Sequence, residues 1–92
     1  EKSLPDNFVL YPSYPNPFNS STTIKFSIPH KTIVKITIYD LLGNEIKELI
    51  KDEKEAGPYE IKFDASSLSS GVYFINLSAG TYIKTQKTVL LK

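Results

Sequence analysis

Apolar and polar residues alternate along most of this chain, which is the pattern of half-buried β-strands. The clearest run, Thr22–Ile28, places Ile24 and Phe26 on the same face. Residues 71–77 are apolar on both faces, as expected of a central strand. The predicted strands are residues 8–11, 22–28, 34–39, 45–51, 59–64, 71–77 and 82–91.

About seven short strands with frequent turn residues predict an all-β fold, an immunoglobulin-like antiparallel β-sandwich. A helix competes over residues 44–55, because Leu49 and Ile50 follow Ile46 at spacings of three and four. Residues 1–7 are polar and contain a proline, so we expect a linker from an upstream passenger, with the sandwich over residues 8–92.

Two local motifs refine this prediction. The segment Tyr14–Asn19, YPNPFN, predicts a proline-stiffened crossover that Phe18 pins into the core. The spacing of Leu68, Gly71 and Tyr73 is typical of a tyrosine corner, in which the phenol bonds the backbone upstream. The alternative for Tyr73 is a core tyrosine with a hydrated hydroxyl group.

Composition narrows the range of functions. The net charge is +1 and all basic residues are lysine, so no clustered basic surface for nucleic acid is expected. The chain has no cysteine, and its apolar runs are too short to cross a bilayer. We therefore predict no nucleic-acid partner, no disulfide and no transmembrane segment.

Candidate chemistry is sparse. His30 is the only histidine, and it lies in a predicted turn where a solvated side chain is the simpler interpretation. Residues 52–55 form an acidic tip, but the neighbouring Lys51 and Lys54 favour a solvated hairpin over a carboxylate pair or calcium loop. We predict no enzyme, metal or cofactor. A carbohydrate platform remains an alternative, and it would use Tyr11, Tyr14, Tyr59 and Tyr82.

Residues 4–92 resemble the C-terminal sorting domains of proteins exported by the type IX secretion system of Bacteroidetes and related bacteria. The segments that carry the resemblance are Leu4–Phe8, Tyr14–Asn19, Thr23–Pro29, Ile38–Gly43, Phe63–Leu68, Ser70–Phe74 and Lys87–Lys92. The family motif positions are Pro15, Asn16, Pro17, Asp40, Gly43, Gly71 and Tyr73.

The resemblance implies a sandwich at the end of a larger protein that is secreted or placed on the cell surface, through the periplasm and outer membrane. The implied partners are the N-terminal passenger in the same chain and the secretion machinery, including an outer-membrane shuttle and a sortase-like peptidase. In processed members, that peptidase removes the domain and anchors the cargo. The targeting signal carried over from the family is Lys87, Val89, Leu91 and Lys92.

The last strand suggests a way in which a receptor could bind the domain. A last strand at a sheet edge would offer unpaired N–H and C=O groups for pairing with a receptor strand. Lys84 and Lys87 could contact an acidic receptor, or they could serve only to protect the edge. The other functional hypotheses are a carbohydrate-binding module and an inert spacer of an extracellular enzyme.

Overall fold

The computed structural model of the chain describes residues 6–92, and every regular element within them is a β-strand. The competing helix over residues 44–55 is therefore excluded. Of the predicted linker, only Asp6 and Asn7 lie within the described residues. The strands are β1 (Val9–Leu10), β2 (Ser21–Ile28), β3 (Thr32–Asp40), β4 (Glu45–Lys54), β5 (Gly57–Asp64), β6 (Gly71–Ala79) and β7 (Tyr82–Leu90).

The strands form two antiparallel sheets. One sheet has the order β1-β2-β5, and the other has the order β4-β3-β6-β7. This arrangement confirms the predicted immunoglobulin-like sandwich. Strand β6 is central, as its apolar sequence predicts, and β7 lies at the edge of the four-stranded sheet.

The core lies between the sheets and follows the predicted alternation. Ile24, Phe26 and Ile28 of β2 are fully buried or nearly so. They belong to one apolar cluster with residues of β3, β5 and β6. Burying such a side chain contributes about 1.5–3 kcal/mol relative to leaving it exposed. The cluster from these other strands includes Val34, Ile36, Ile38, Phe63, Tyr73, Ile75, Leu77 and Ala79.

Strand β4 differs from its prediction in length and regularity. Its pairing with β3 continues to Lys54, so Asp52 and Glu53 lie in the strand and not in a hairpin tip. The register shifts twice, and Ile46 and Leu49 are the residues left without a partner in β3. Each such irregularity changes the side-chain phase by one residue, which explains why the apolar residues of β4 mimic a helical spacing.

Residues 11–18, which we call the crossing segment, connect the two sheets. Tyr11 and Tyr14 bond to β2, and Phe18 bridges in parallel to Leu90 of β7. The peptide bonds before Pro15 and Pro17 are cis. The Phe18 side chain is buried, with its ring 5.8 Å from that of Phe63. The predicted crossover, pinned by Phe18, is confirmed.

Candidate functional site

Residues 87–92, which we call the tail segment, alternate between the core and the surface. Thr88 and Leu90 are fully buried. The side chains that alternate with these two along the strand are therefore directed to the opposite face of the sheet. Lys87 and Leu91 are exposed there, and Val89 is partly buried.

The crossing segment clamps the backbone of the tail segment. The Asn16 side chain donates to the Lys87 carbonyl oxygen at 3.3 Å and accepts from the Val89 N–H at 3.0 Å. The Phe18 N–H donates to the Val89 carbonyl oxygen, and its own carbonyl accepts from the Leu91 N–H, both at 2.9 Å. Asn16 thus satisfies two backbone groups that an ordinary neighbouring strand would satisfy.

This clamp corrects the expectation of an open edge. Since Val89 bonds outward from the sheet, the alternation of an antiparallel strand directs the backbone groups of Ile83, Thr85 and Lys87 outward as well. The groups of Val89 are already paired with the crossing segment. The part of β7 that remains accessible for β-augmentation is its first half, around Ile83 and Thr85, and not the predicted signal.

Polar side chains also connect the crossing segment to the core-facing side of β7. The Gln86 amide donates to the Tyr11 carbonyl oxygen at 2.8 Å and accepts from the Ser13 N–H at 3.2 Å. The hydroxyl groups of Ser13 and Thr88 lie 3.3 Å apart in the interior. Both buried hydroxyl groups are therefore satisfied, which favours one fixed position for the crossing segment.

The last residue folds back onto the loop between β5 and β6. The Lys92 backbone N–H donates to the Ser70 hydroxyl at 3.0 Å, and its ammonium group donates to the Ser66 carbonyl oxygen at 2.6 Å. These contacts bring the tail segment against residues 66–70.

The start of β6 is a tyrosine corner. The Tyr73 hydroxyl donates to the Ser69 carbonyl oxygen at 2.7 Å, while its ring is buried. This confirms the predicted corner. Gly71 has φ of 154°, a conformation that residues with a side chain rarely adopt. The backbone therefore requires glycine at this motif position, although no atom crowds the place of a Cβ.

The turn between β3 and β4 is fixed by one carboxylate. Asp40 accepts from the N–H groups of Leu42 and Asn44, both at 2.9 Å, and from the Asn44 amide at 3.1 Å. The hydrogen bonds from Asn44 are the main cause that lowers the Asp40 pKa. Gly43 follows with φ of 88° in the left-handed region, which suits glycine.

The structure brings the motif positions together at one end of the sandwich. Asp40 of β3 pairs with Tyr73 of β6, and Gly71 of β6 pairs with Leu90 of β7. Asn16 bonds Val89 of β7. We call this the tail end. A groove of about 570 Å³ lies there, between the Asp40–Gly43 turn and residues 67–73.

Two exposed residues of the tail end have no individual role in the sequence-based prediction. Leu41 and Leu42 are 67% and 85% exposed, and both border the groove. Their positions inside a turn gave no amphipathic pattern that would single them out. The available signal was the presence of two large apolar residues in a turn, where polar residues prevail.

The other candidate groups are dispersed. His30 is exposed, and its ring meets Phe8 edge-on at 5.3 Å. Tyr59 stacks on Phe26, and Tyr82 stacks on Phe8. Of the four tyrosines, Tyr14 is 80% exposed and Tyr11 is 43% exposed. Within residues 6–92, no cluster of acidic or histidine side chains is placed to hold a metal ion. Nor does this part of the chain contain a helix suited to crossing a membrane.

The comparisons with known proteins agree with this geometry. Residues 13–92 match the family model described as the secretion system C-terminal sorting domain. The chain belongs to this family. The match includes both the crossing segment from Ser13 onward and the whole tail segment, and it confirms the family that the resemblance named.

One solved structure shares the fold of this chain. It comes from a study of PorZ, described as an essential bacterial surface component of the type-IX secretion system of Porphyromonas gingivalis. The TM-score is 0.60 at 21% identity. The likeness covers 90% of this chain but only 11% of the PorZ chain, so it concerns the fold alone. No curated protein matches the sorting domain significantly in sequence.

Proposed function

We propose that this sorting domain is the export address of a larger passenger and that the type IX secretion machinery reads it at the tail end. The passenger then crosses the outer membrane and becomes secreted or attached to the cell surface. The observation that carries the proposal is the clamped tail segment. Its backbone is paired with Asn16 and Phe18, while the side chains at 87 and 91 remain exposed.

The proposed signal consists of Lys87, Val89, Leu91 and Lys92, of which Val89 makes the smallest exposed contribution. Fixing the backbone before recognition lowers the conformational entropy that the receptor must overcome on binding. The family match over residues 13–92 supports a role in sorting for secretion. The proposal assigns the domain no catalytic role.

A fusion experiment tests the proposal. The domain is joined to a periplasmic reporter and expressed in a host with the type IX machinery and in the same host without it. We expect the reporter at the cell surface only in the first host. Export in both hosts, or in neither, would refute the assignment. The mass of the exported reporter shows whether a peptidase has removed the domain.

Removal of the whole tail segment is a poor test, because it deletes the buried Thr88 and Leu90 along with the signal. Loss of a leucine from a core costs about 2–5 kcal/mol, so the truncation would destabilise the domain as well as remove the signal. Substitution of Lys87, Leu91 and Lys92 alone leaves the core intact and separates recognition from folding.

A carbohydrate-binding role is the second candidate, and one observation favours it. Tyr14 is 80% exposed and borders a groove of about 340 Å³ with Lys25 and Glu60. An aromatic ring beside polar groups is a suitable stacking surface for a sugar. Titration with soluble polysaccharides, followed by tyrosine fluorescence, should show saturable binding that Tyr14→Ala removes; flat titrations would eliminate this role.

A further inference from the structure

Two exposed leucines at the tail end form an apolar surface patch that suits a binding partner. Leu41 and Leu42 are adjacent, bulky and more exposed than Leu91 of the tail segment, which is 55% exposed. Single apolar residues on a surface are ordinary, but a contiguous apolar patch beside a groove commonly marks an interaction site. The patch contributes no burial to the core, because both leucines are outside it.

The leucines are held in place. The Asp40 carboxylate accepts the Leu42 N–H, and the Asp40 backbone exchanges hydrogen bonds with Gly43 and Asn44. These local hydrogen bonds hold the backbone that carries both leucines in a defined conformation. Binding through it would therefore cost less ordering entropy than binding through a mobile loop.

The groove continues the leucine patch toward the tail segment. Ile46, Leu68 and Val72 contribute apolar surface to its walls, and Ser70 also lines it. Ser70 is the residue that holds the Lys92 backbone. Ser70 therefore links the groove beside the leucines to Lys92 of the proposed signal.

The charges of residues 65–92 favour an acidic partner. Residues 65–92 contain three lysines and no aspartate or glutamate. Among the described residues, the only charged side chain lining the groove is Asp40, whose oxygens accept the hydrogen bonds of its own turn. A complementary surface would place an apolar pocket over the leucines and carboxylates opposite the exposed Lys87 and Lys92.

We propose that Leu41 and Leu42 are the apolar anchor of the receptor-docking surface, and that the occupant is a folded protein of the export machinery with an apolar pocket flanked by carboxylates. This inference rests on the proposed function and adds a second recognition element to it. Both leucines would become buried when the receptor binds, and burial of two leucines contributes strongly to affinity. Their joint removal is therefore expected to weaken docking about a hundredfold.

The test uses the full-length parent protein in its own host. One variant carries Leu41→Ser and Leu42→Ser, and the matched control carries Ile33→Ser and Ile83→Ser, two exposed isoleucines at the opposite end of the same sheet. We expect the leucine variant to accumulate in the periplasm and the control to reach the surface. Limited proteolysis of the periplasmic leucine variant and of the exported control checks that both are folded. If the double variant is degraded, Leu42→Ser alone decides.

The outcomes separate the inference from the function on which it rests. Normal export of the leucine variant, combined with loss of export when the whole domain is deleted, would overturn the inference alone. Normal export after deletion would overturn the proposed function. The charge of the partner is tested by Leu42→Glu and Leu42→Lys: greater loss with glutamate supports an acidic receptor, and equal or smaller loss contradicts it.

Discussion

The most informative perturbation of the clamp is Asn16→Ala. The substitution removes the two side-chain hydrogen bonds to Lys87 and Val89, at 3.3 and 3.0 Å, and deletes no buried apolar group. A hydrogen bond contributes about 0.5–1.5 kcal/mol net, and exposed bonds fall toward the lower end of this range. We therefore expect a loss of about 1–2 kcal/mol for the local stability of the tail segment.

Amide hydrogen exchange measures this loss directly. Since about 1.4 kcal/mol corresponds to a tenfold change in an equilibrium constant, the Val89 N–H should exchange roughly 5–30 times faster in the variant. Asn16→Asp should give intermediate protection, because a carboxylate can still accept the Val89 N–H but cannot donate to the Lys87 carbonyl oxygen. Asn19→Ala is the control, since Asn19 is an exposed asparagine of the same motif region. Unchanged exchange at Val89 in Asn16→Ala would refute the clamp.

Three further predictions concern the motif positions of the tail end. Tyr73→Phe removes the bond to Ser69 and should lower the free energy of unfolding by about 1–2 kcal/mol in urea denaturation; a smaller change would mean that the corner does not stabilise the fold. Gly71→Ala should cost about 1–3 kcal/mol in the same assay because of its positive φ, and an unchanged midpoint would contradict this. Because the Asp40 pKa is lowered in the folded protein, the turn should be fully stabilised above the ordinary value of 3.8 and loosen as the pH falls through the lower folded value. The pH dependence of the Leu42 amide chemical shift reports this transition, and Asp40→Ala should abolish it.

Strand positions could be predicted because strict alternation leaves few choices. In β2, a shift of one residue would expose Ile24 and Phe26, so the sequence pattern determines the register of the buried face. In β4, the pattern failed for a physical reason. The strand is at an edge, and two irregularities place Ile46 and Leu49 out of phase with their neighbours.

The candidate site was less predictable than the fold. Asn16 and Val89 are 73 positions apart, and their contact depends on the crossing segment bridging two sheets. Local propensity contains no information on such a contact. Local propensity predicts that residues 14–19 form a stiff crossover. It does not predict that Asn16 would lie at the edge of β7.

The motif glycines illustrate the same limit. Their spacing indicates turns, but only the backbone angles explain why a side chain is disfavoured. Gly43 and Gly71 both have positive φ, and neither has an atom within 4 Å of the place that a Cβ would occupy. Their role in the fold is conformational, since a positive φ sets the direction of the chain at the tail end.

The export of signal variants is the most direct test of the central claim, that the exposed residues of a clamped tail segment are read by the secretion machinery. Reporter fusions carry either serine at Lys87, Leu91 and Lys92, or serine at Ile83 and Lys84 in the first half of the same strand. With equal thermal stability, the first fusion should remain in the periplasm and the second should reach the surface. Surface export of both fusions at the level of the unchanged domain, while deletion of the domain blocks export, would contradict the claim.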